Sequence, residues 1–345
     1  MATSITSLRP AAPAAKTPVA NLPDARRTRR FARWASALFA LVYVLIPWPQ
    51  IYLSAHGSPM TDRFNYYRQI TTGTLRFDHF RYDEWVEYVT YEYLWSWMLA
   101  FTRDVGISAD TVFGVVSFAF IFFAAYFVVR GAGVAYLLLL VNPLVVDLAF
   151  SQLRLAAALS ILAIAWLCSR RWPVVAIAAC IVAALVHTSA LLFIAVDIAA
   201  RVAQVLALRD KHGRSLLVIC AAGLAITLFT GPWRAVLLEA VDDRRATYGD
   251  FSSGIAYLSL WIALLVVLVL NTKSWSNDLE SGFAVTILVS VALSAVFGGY
   301  ATRFLAASFP FIVLAISRLP VVWKELVILA FIGYATLQWI FWLGL

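Results

Sequence analysis

The chain has 345 residues, of which 62% are hydrophobic and 13% charged, with a mean hydropathy of +0.83. No soluble globule of that length needs so apolar a composition, which leaves an all-α, polytopic helical membrane protein. Its net charge of +8 sits at the ends of apolar runs and in short loops, so membrane topology accounts for it and nucleic acid is excluded as a partner.

Residues 1–30 read as a disordered, basic cytoplasmic tail, rich in Ala and Pro and closing on Arg26, Arg27, Arg29 and Arg30. Residues 31–345 read as a single transmembrane domain. The first span, 34–54, follows the basic run and enters from the cytoplasm, which places the N-terminus inside. Residues 55–109 then form a periplasmic loop. Within that loop, 85–103 carries an apolar half too short to span and reads as an interfacial or re-entrant helix.

Further spans are expected at 110–129, 132–150, 154–169, 173–187, 189–207, 214–232, 254–271, 279–297, 304–318 and 321–343, giving about eleven transmembrane helices. With that count Arg130, Arg170 and Arg171, Arg209, Lys211 and Arg214, Lys273, and Arg318 with Lys324 all fall inside, as the positive-inside bias requires. The polar residues that interrupt apolar sequence then gather on the outer face. Ionisable groups near bilayer depth are costly and mark a site.

Taken in order, the first group is TDRFNYYRQI, in which Asp62 and Tyr66 share a helical face beside Tyr67. Next come Glu84, Glu87 and Glu92 among Trp85, Tyr88, Tyr91, Tyr93, Trp95 and Trp97, either a sugar-binding surface or an aromatic anchor at headgroup level. Gln152 and Arg154 stand at the mouth of an otherwise uncharged helix, where a guanidinium suits phosphate oxygens or snorkels to headgroups. His187, with Thr188 and Ser189, sits between two apolar stretches where the chain must turn, and its titration range suits a general base or a phosphate donor. Two outer loops add Arg244, Arg245 and Tyr248, then Tyr300 and Arg303 behind Gly298 and Gly299. Asp197 and Arg201 at i,i+4 read as a structural pair outside the site.

Cys168, Cys180 and Cys220 lack paired spacing, and no two of His56, His79, His187 and His212 have ligand spacing on one helix, so no metal is expected. The chain has no P-loop, GxGxxG or GxSxG, and no cofactor is expected.

The ordered set D-x-x-N-Y-Y at Asp62 to Tyr67, an acidic residue opening an aromatic helix at Glu92, Q-x-R-x-x-x-A at Gln152 to Ala158, H-T-S-A at His187 to Ala190, and Y-x-x-R-F at Tyr300 to Phe304 resembles the EpsG family. Where that family's pattern has Glu-Pro, this chain has Glu92-Tyr93. The resemblance spans about 55–310 and implies a GT-C-like fold in the bacterial inner membrane. It also implies a role like that of Wzy polymerases, which join lipid-linked oligosaccharide repeats into exopolysaccharide, capsule or O-antigen at the periplasmic face. The donor it implies is a glycan on undecaprenyl pyrophosphate, the partners it implies are membrane lipids and polysaccharide export, flippase or chain-length proteins.

On that reading Arg154 and Arg303, joined by Arg244 or Arg245, clamp the diphosphate. His187, Asp62 and Glu92 are the candidate bases, with His187 preferred because neutral imidazole is available near pH 7. Tyr66, Tyr67, Tyr91, Gln152, Tyr248 and Tyr300 are the candidate sugar contacts. A flippase or transporter of lipid-linked oligosaccharide, or a non-catalytic subunit of an assembly complex, is the alternative. A transporter of that kind would show repeated halves, and none is visible in the sequence.

Overall fold

Pro, Ser, Asn and Asp punctuate this apolar chain, and they fix where its helices begin. The computed structural model describes residues 25–73, 82, 84–209, 211–240, 254–299 and 301–345, and among them every regular element is helical. α1 (Ala25–Leu45) starts inside the basic run, so Arg26, Arg27, Arg29 and Arg30 fall in its first turns. α2 (Trp48–His56) follows Pro47, then α3 (Thr61–Thr72), α4 (Trp85–Thr90) and α5 (Tyr93–Val105). Glu84 and Glu87 close a capping box at the start of α4. At 1.5 Å per residue neither α4 nor α5 reaches across the roughly 30 Å of a bilayer core.

α6 (Ala109–Gly131) is capped by Ser108, whose hydroxyl accepts from the Thr111 amide at 3.2 Å. The segment expected to span at 132–150 is not one helix. It is a 3-10 helix (Val134–Leu140) followed by α7 (Pro143–Phe150). Asn142 accepts from the Leu144 amide at 2.9 Å and Pro143 supplies no amide, so the chain restarts there. α8 (Leu153–Cys168) then turns away from α7 by 95°. The remaining helices are α9 (Pro173–Val186), α10 (Ala190–Ala207), α11 (His212–Thr230), α12 (Arg234–Glu239), α13 (Ile255–Leu270), α14 (Thr272–Trp275), α15 (Leu279–Phe297), α16 (Ala301–Ser317) and α17 (Val321–Trp342).

Among the described residues six stretches are long and apolar enough to cross a membrane: Arg29–His56, Ala109–Gly131, Ala190–Ala207, His212–Thr230, Leu279–Phe297 and Val321–Trp342. The bent pair α7 and α8 makes a seventh if it is one span, and α9, α13 and α16 supply shorter apolar helices. These helices fit a multi-pass membrane protein. α15 is its central post, with 72% of its apolar window buried against 11% for the peripheral α17.

Small residues bring helices close where no hydrophobic drive separates protein from lipid. Gly223 on α11 is such a point, since a β-carbon there would lie 2.6 Å from Val289 of α15. Thr227, one turn on, bonds the Ser290 hydroxyl at 3.1 Å and the Ser290 carbonyl at 3.2 Å. A separate small core of Tyr66, Trp95, Leu99, Phe113, Leu153 and Val186, with Ala158, Ala183 and Ala190, gathers α3, α5, α6, α8, α9 and α10. The candidate site lies on that core.

Candidate active site at the α3, α5, α8 and α9 ends

Glu92 is the hub. It follows the one-and-a-half-turn α4 and serves as N-cap of α5, with φ 55° and ψ 54°. A non-glycine residue in that left-handed region costs on the order of 1–3 kcal/mol and is found where surrounding structure holds it, often at functional sites. The next position, Tyr93, is the first residue of α5, and with no proline there Glu92 is not pushed toward the extended conformation that a following proline favours.

The Glu92 carboxylate is fully buried and shared. One oxygen accepts from the Arg154 guanidinium and the other pairs with Nδ1 of His187. Arg154 Nε donates at 2.7 Å to the Tyr66 hydroxyl, and its guanidinium carbon lies 5.4 Å above the Tyr66 ring. Tyr66 packs edge-on against Trp95 at 5.0 Å. Burial pushes the Tyr66 phenol above its ordinary range, against the pull of nearby Arg154. The phenol therefore stays protonated at neutral pH.

His187 ends α9 in an extended conformation (φ −153°, ψ 120°), and α10 restarts at Ala190, whose amide donates to the His187 carbonyl at 2.9 Å. The turn expected between these two apolar stretches is present. Thr188 donates to the Val89 carbonyl at 2.9 Å, tying that turn to the end of α4. With Nδ1–H directed at the carboxylate, the lone pair of the imidazole is on Nε2.

A second pair stands beside the hub: Arg303, near the start of α16, lies 3.6 Å from Asp62 on α3, with 43% and 31% of the side chains exposed. Asp62 is within electrostatic reach of Tyr66 and Arg154, so the two pairs belong to one charged cluster. Arg303 follows a turn in which Gly298 (φ 74°, ψ −179°) occupies a region open to glycine alone. Gln152 donates to Asp147 at 2.7 Å, which takes Asp147 as its own partner.

The structure thus brings together His187, Glu92, Arg154 and Tyr66 directly, and Asp62 and Arg303 next to them. Tyr67 is exposed at 45%, and Tyr91 is half-buried beside the Tyr82 ring. Tyr82 also packs against Tyr88 and Tyr93 at 5.2 and 5.3 Å, making an aromatic group around the Glu92 turn. Arg244, Arg245, Tyr248 and Tyr300 lie outside the described residues, as does His79. Trp95, expected as one of the aromatic residues around Glu92, is instead the buried wall behind Tyr66. One contributor was not singled out in the sequence: Arg63 ties α3 to α6 through Asp110 at 2.7 Å. Outside the site, Asp197 and Arg201 form the expected i,i+4 pair at 2.8 Å.

Chemically, a carboxylate that holds an imidazole by Nδ1 leaves Nε2 placed to take a proton. Guanidinium groups on two separate helices can meet an anion that spans them. The model of the EpsG family matches residues 38–344. No curated protein matches, and no solved structure does.

Proposed function

Because the chain belongs to the EpsG family, which supports a membrane exopolysaccharide polymerase-type role, we propose that it is a glycosyltransferase joining lipid-linked oligosaccharide repeats at the periplasmic face of the inner membrane. The donor is a glycan on undecaprenyl pyrophosphate and the acceptor a single lipid-linked repeat. In this reading the topology is that of a GT-C-like protein with about eleven crossings, in which the 3-10 helix with α7, then α8, and the shorter apolar helices α9, α13 and α16 each pass through the bilayer. The chain from 31 onward is one transmembrane domain, with 55–109 outside.

The observation that carries the reading is the buried carboxylate of Glu92 held between His187 and Arg154. An acceptor hydroxyl attacks the donor's anomeric carbon, the bond from that carbon to the diphosphate oxygen breaks, and Nε2 of His187 takes the hydroxyl proton. Arg154 and Arg303, with Arg244 or Arg245, offset the charge that develops on the departing diphosphate. Buried as it is, Glu92 acts as a positioning residue: it sets the imidazole tautomer and aims the guanidinium. Asp62 is the second candidate base. Tyr66, Tyr67, Tyr91 and Gln152 supply sugar contacts, with Tyr248 and Tyr300 as further ones. The chemistry uses no metal and no cofactor.

The test is complementation of a deletion strain with wild type, Arg154→Ala, His187→Ala and Arg303→Ala at matched membrane levels, reading polymer length and the lipid-linked pool. Loss of long polymer with single repeats accumulating on lipid is expected. Unchanged polymer in all three variants would remove the active-site reading and favour transport of lipid-linked oligosaccharide or a non-catalytic assembly role.

A further inference from the structure

A cavity of about 530 Å³ lies among α6, α8, α9, α10, α15 and α16, and its wall is almost wholly hydrocarbon. Phe127, Trp166, Phe283 and Phe311 form one side, with Trp166 and Phe311 stacked at 5.2 Å. The charged residues of the wall, Asp197 and Arg201, bond one another, and Arg201 lies 5.5 Å over the Trp166 ring. That pair neutralises itself, so the wall presents an apolar surface with no net charge.

Three of the wall's helices lead to the polar site. On α9 the lining positions Pro173, Ala176, Ile177, Cys180 and Ile181 continue at helical spacing through Ala184 to His187. On α16, Ala307, Pro310 and Phe311 continue backward by four residues to Arg303. α8 carries Arg154 in its first turn and Leu159, Leu162 and Trp166 in the wall. From Leu159 to Ser169 the cavity follows α8 for about 15 Å at 1.5 Å per residue. Cationic groups at one end of an apolar cleft form a receptor for an amphiphile with an anionic head and a long hydrocarbon chain.

We propose that this cleft holds the hydrocarbon chain of the lipid-linked substrate while its anionic head lies at Arg154, His187 and Arg303. The inference rests on the polymerase reading, because it takes the substrate to be a lipid-borne anion. It adds that the protein recognises the chain itself instead of leaving it in the bilayer. Chain length then contributes to binding through packing contacts with the wall, since the bilayer the chain leaves is as apolar as the cleft.

The experiment uses the full chain in lipid nanodiscs with two synthetic substrates that share one glycan and one diphosphate, one on a long polyprenyl chain and one on a two-isoprene chain. Wild type is compared with Ala176→Phe, which fills the cleft, and Phe311→Ala, which enlarges it. Ala176→Phe is expected to raise KM for the long-chain substrate about tenfold while leaving the short-chain substrate unchanged. Should that variant not fold, Phe311→Ala is expected to narrow the difference between the two substrates. Equal losses on both substrates, or no change on either, would overturn the proposal.

A polyprenyl diphosphate without glycan, bearing a photoreactive group on the chain, separates this inference from the polymerase reading. Cross-links at Phe127 and Phe283, which line the cleft and are buried, are expected even if wild type polymerises nothing. Cross-links confined to the outer face of α17 would place the chain in bulk lipid and end the proposal.

Discussion

Glu92 carries two obligations with one carboxylate, and removing either partner has a predictable result. Arg154→Ala leaves a fully buried acid with less compensation, a change that costs about 3–5 kcal/mol when a buried pair is broken. Thermal unfolding in detergent is expected to show a lowered midpoint for Arg154→Ala. Adding Glu92→Gln to that variant is expected to recover much of the loss without recovering polymer. A second outcome concerns Tyr66, whose phenol burial holds above its ordinary value near 10. The unfolded chain releases that proton first, so this group's contribution to stability is complete below about pH 10 and declines as pH rises beyond it. Melting curves from pH 8 to 11 are expected to fall more steeply for wild type than for Tyr66→Phe. The residue types were legible in the sequence, because a His between two apolar runs and an Arg opening an uncharged helix are conspicuous. The pairing was not. Asp147 lies close to Arg154 in sequence, yet Gln152 occupies it, and the guanidinium reaches a carboxylate 62 residues away.

Helix placement followed from apolar runs and their punctuation, and the segments read as spans recur as helices with two exceptions, 34–54, which divides into α1 and α2 at Ile46-Pro47, and 132–150. There apolar composition concealed the restart at Asn142-Pro143, although an Asn-Pro pair is itself a turn signal. Asn142 does more than cap α7, since its amide nitrogen also donates to Gln338 of α17 at 3.1 Å. Asn142→Ala is therefore expected to cost more than the roughly 1 kcal/mol of a lost cap, and Gln338→Ala to recover none of it, as judged by chemical unfolding in detergent. The close approach of α11 and α15 gives a sharper case. Gly223→Leu has no room against Val289 and the Thr286 carbonyl. It is expected to cost at least the 1–3 kcal/mol typical of overpacking and to lower the yield of folded protein in a fluorescence size-exclusion profile.

Sidedness is the property on which the whole molecule's function depends. With 55–109 outside, single cysteines introduced into a variant lacking Cys168, Cys180 and Cys220 are expected to react with an impermeant maleimide at position 58. At position 211 they are expected to react only after the membrane is broken. The reverse pattern would move the charged cluster to the cytoplasmic face and with it the reaction.

The wide separation of the site's members also bears on how the protein is made. Glu92 leaves the ribosome 62 residues before Arg154 and 95 before His187, and Asp62 precedes Arg303 by most of the chain. At about 5–20 residues per second the acid waits on the order of several seconds for its first counter-ion. A nascent chain in that interval cannot bury Glu92 charged, so the α4 and α5 segment must stay in water or be shielded until α8 emerges. Chains interrupted before residue 154 then keep the Glu92 carboxylate without its guanidinium partner.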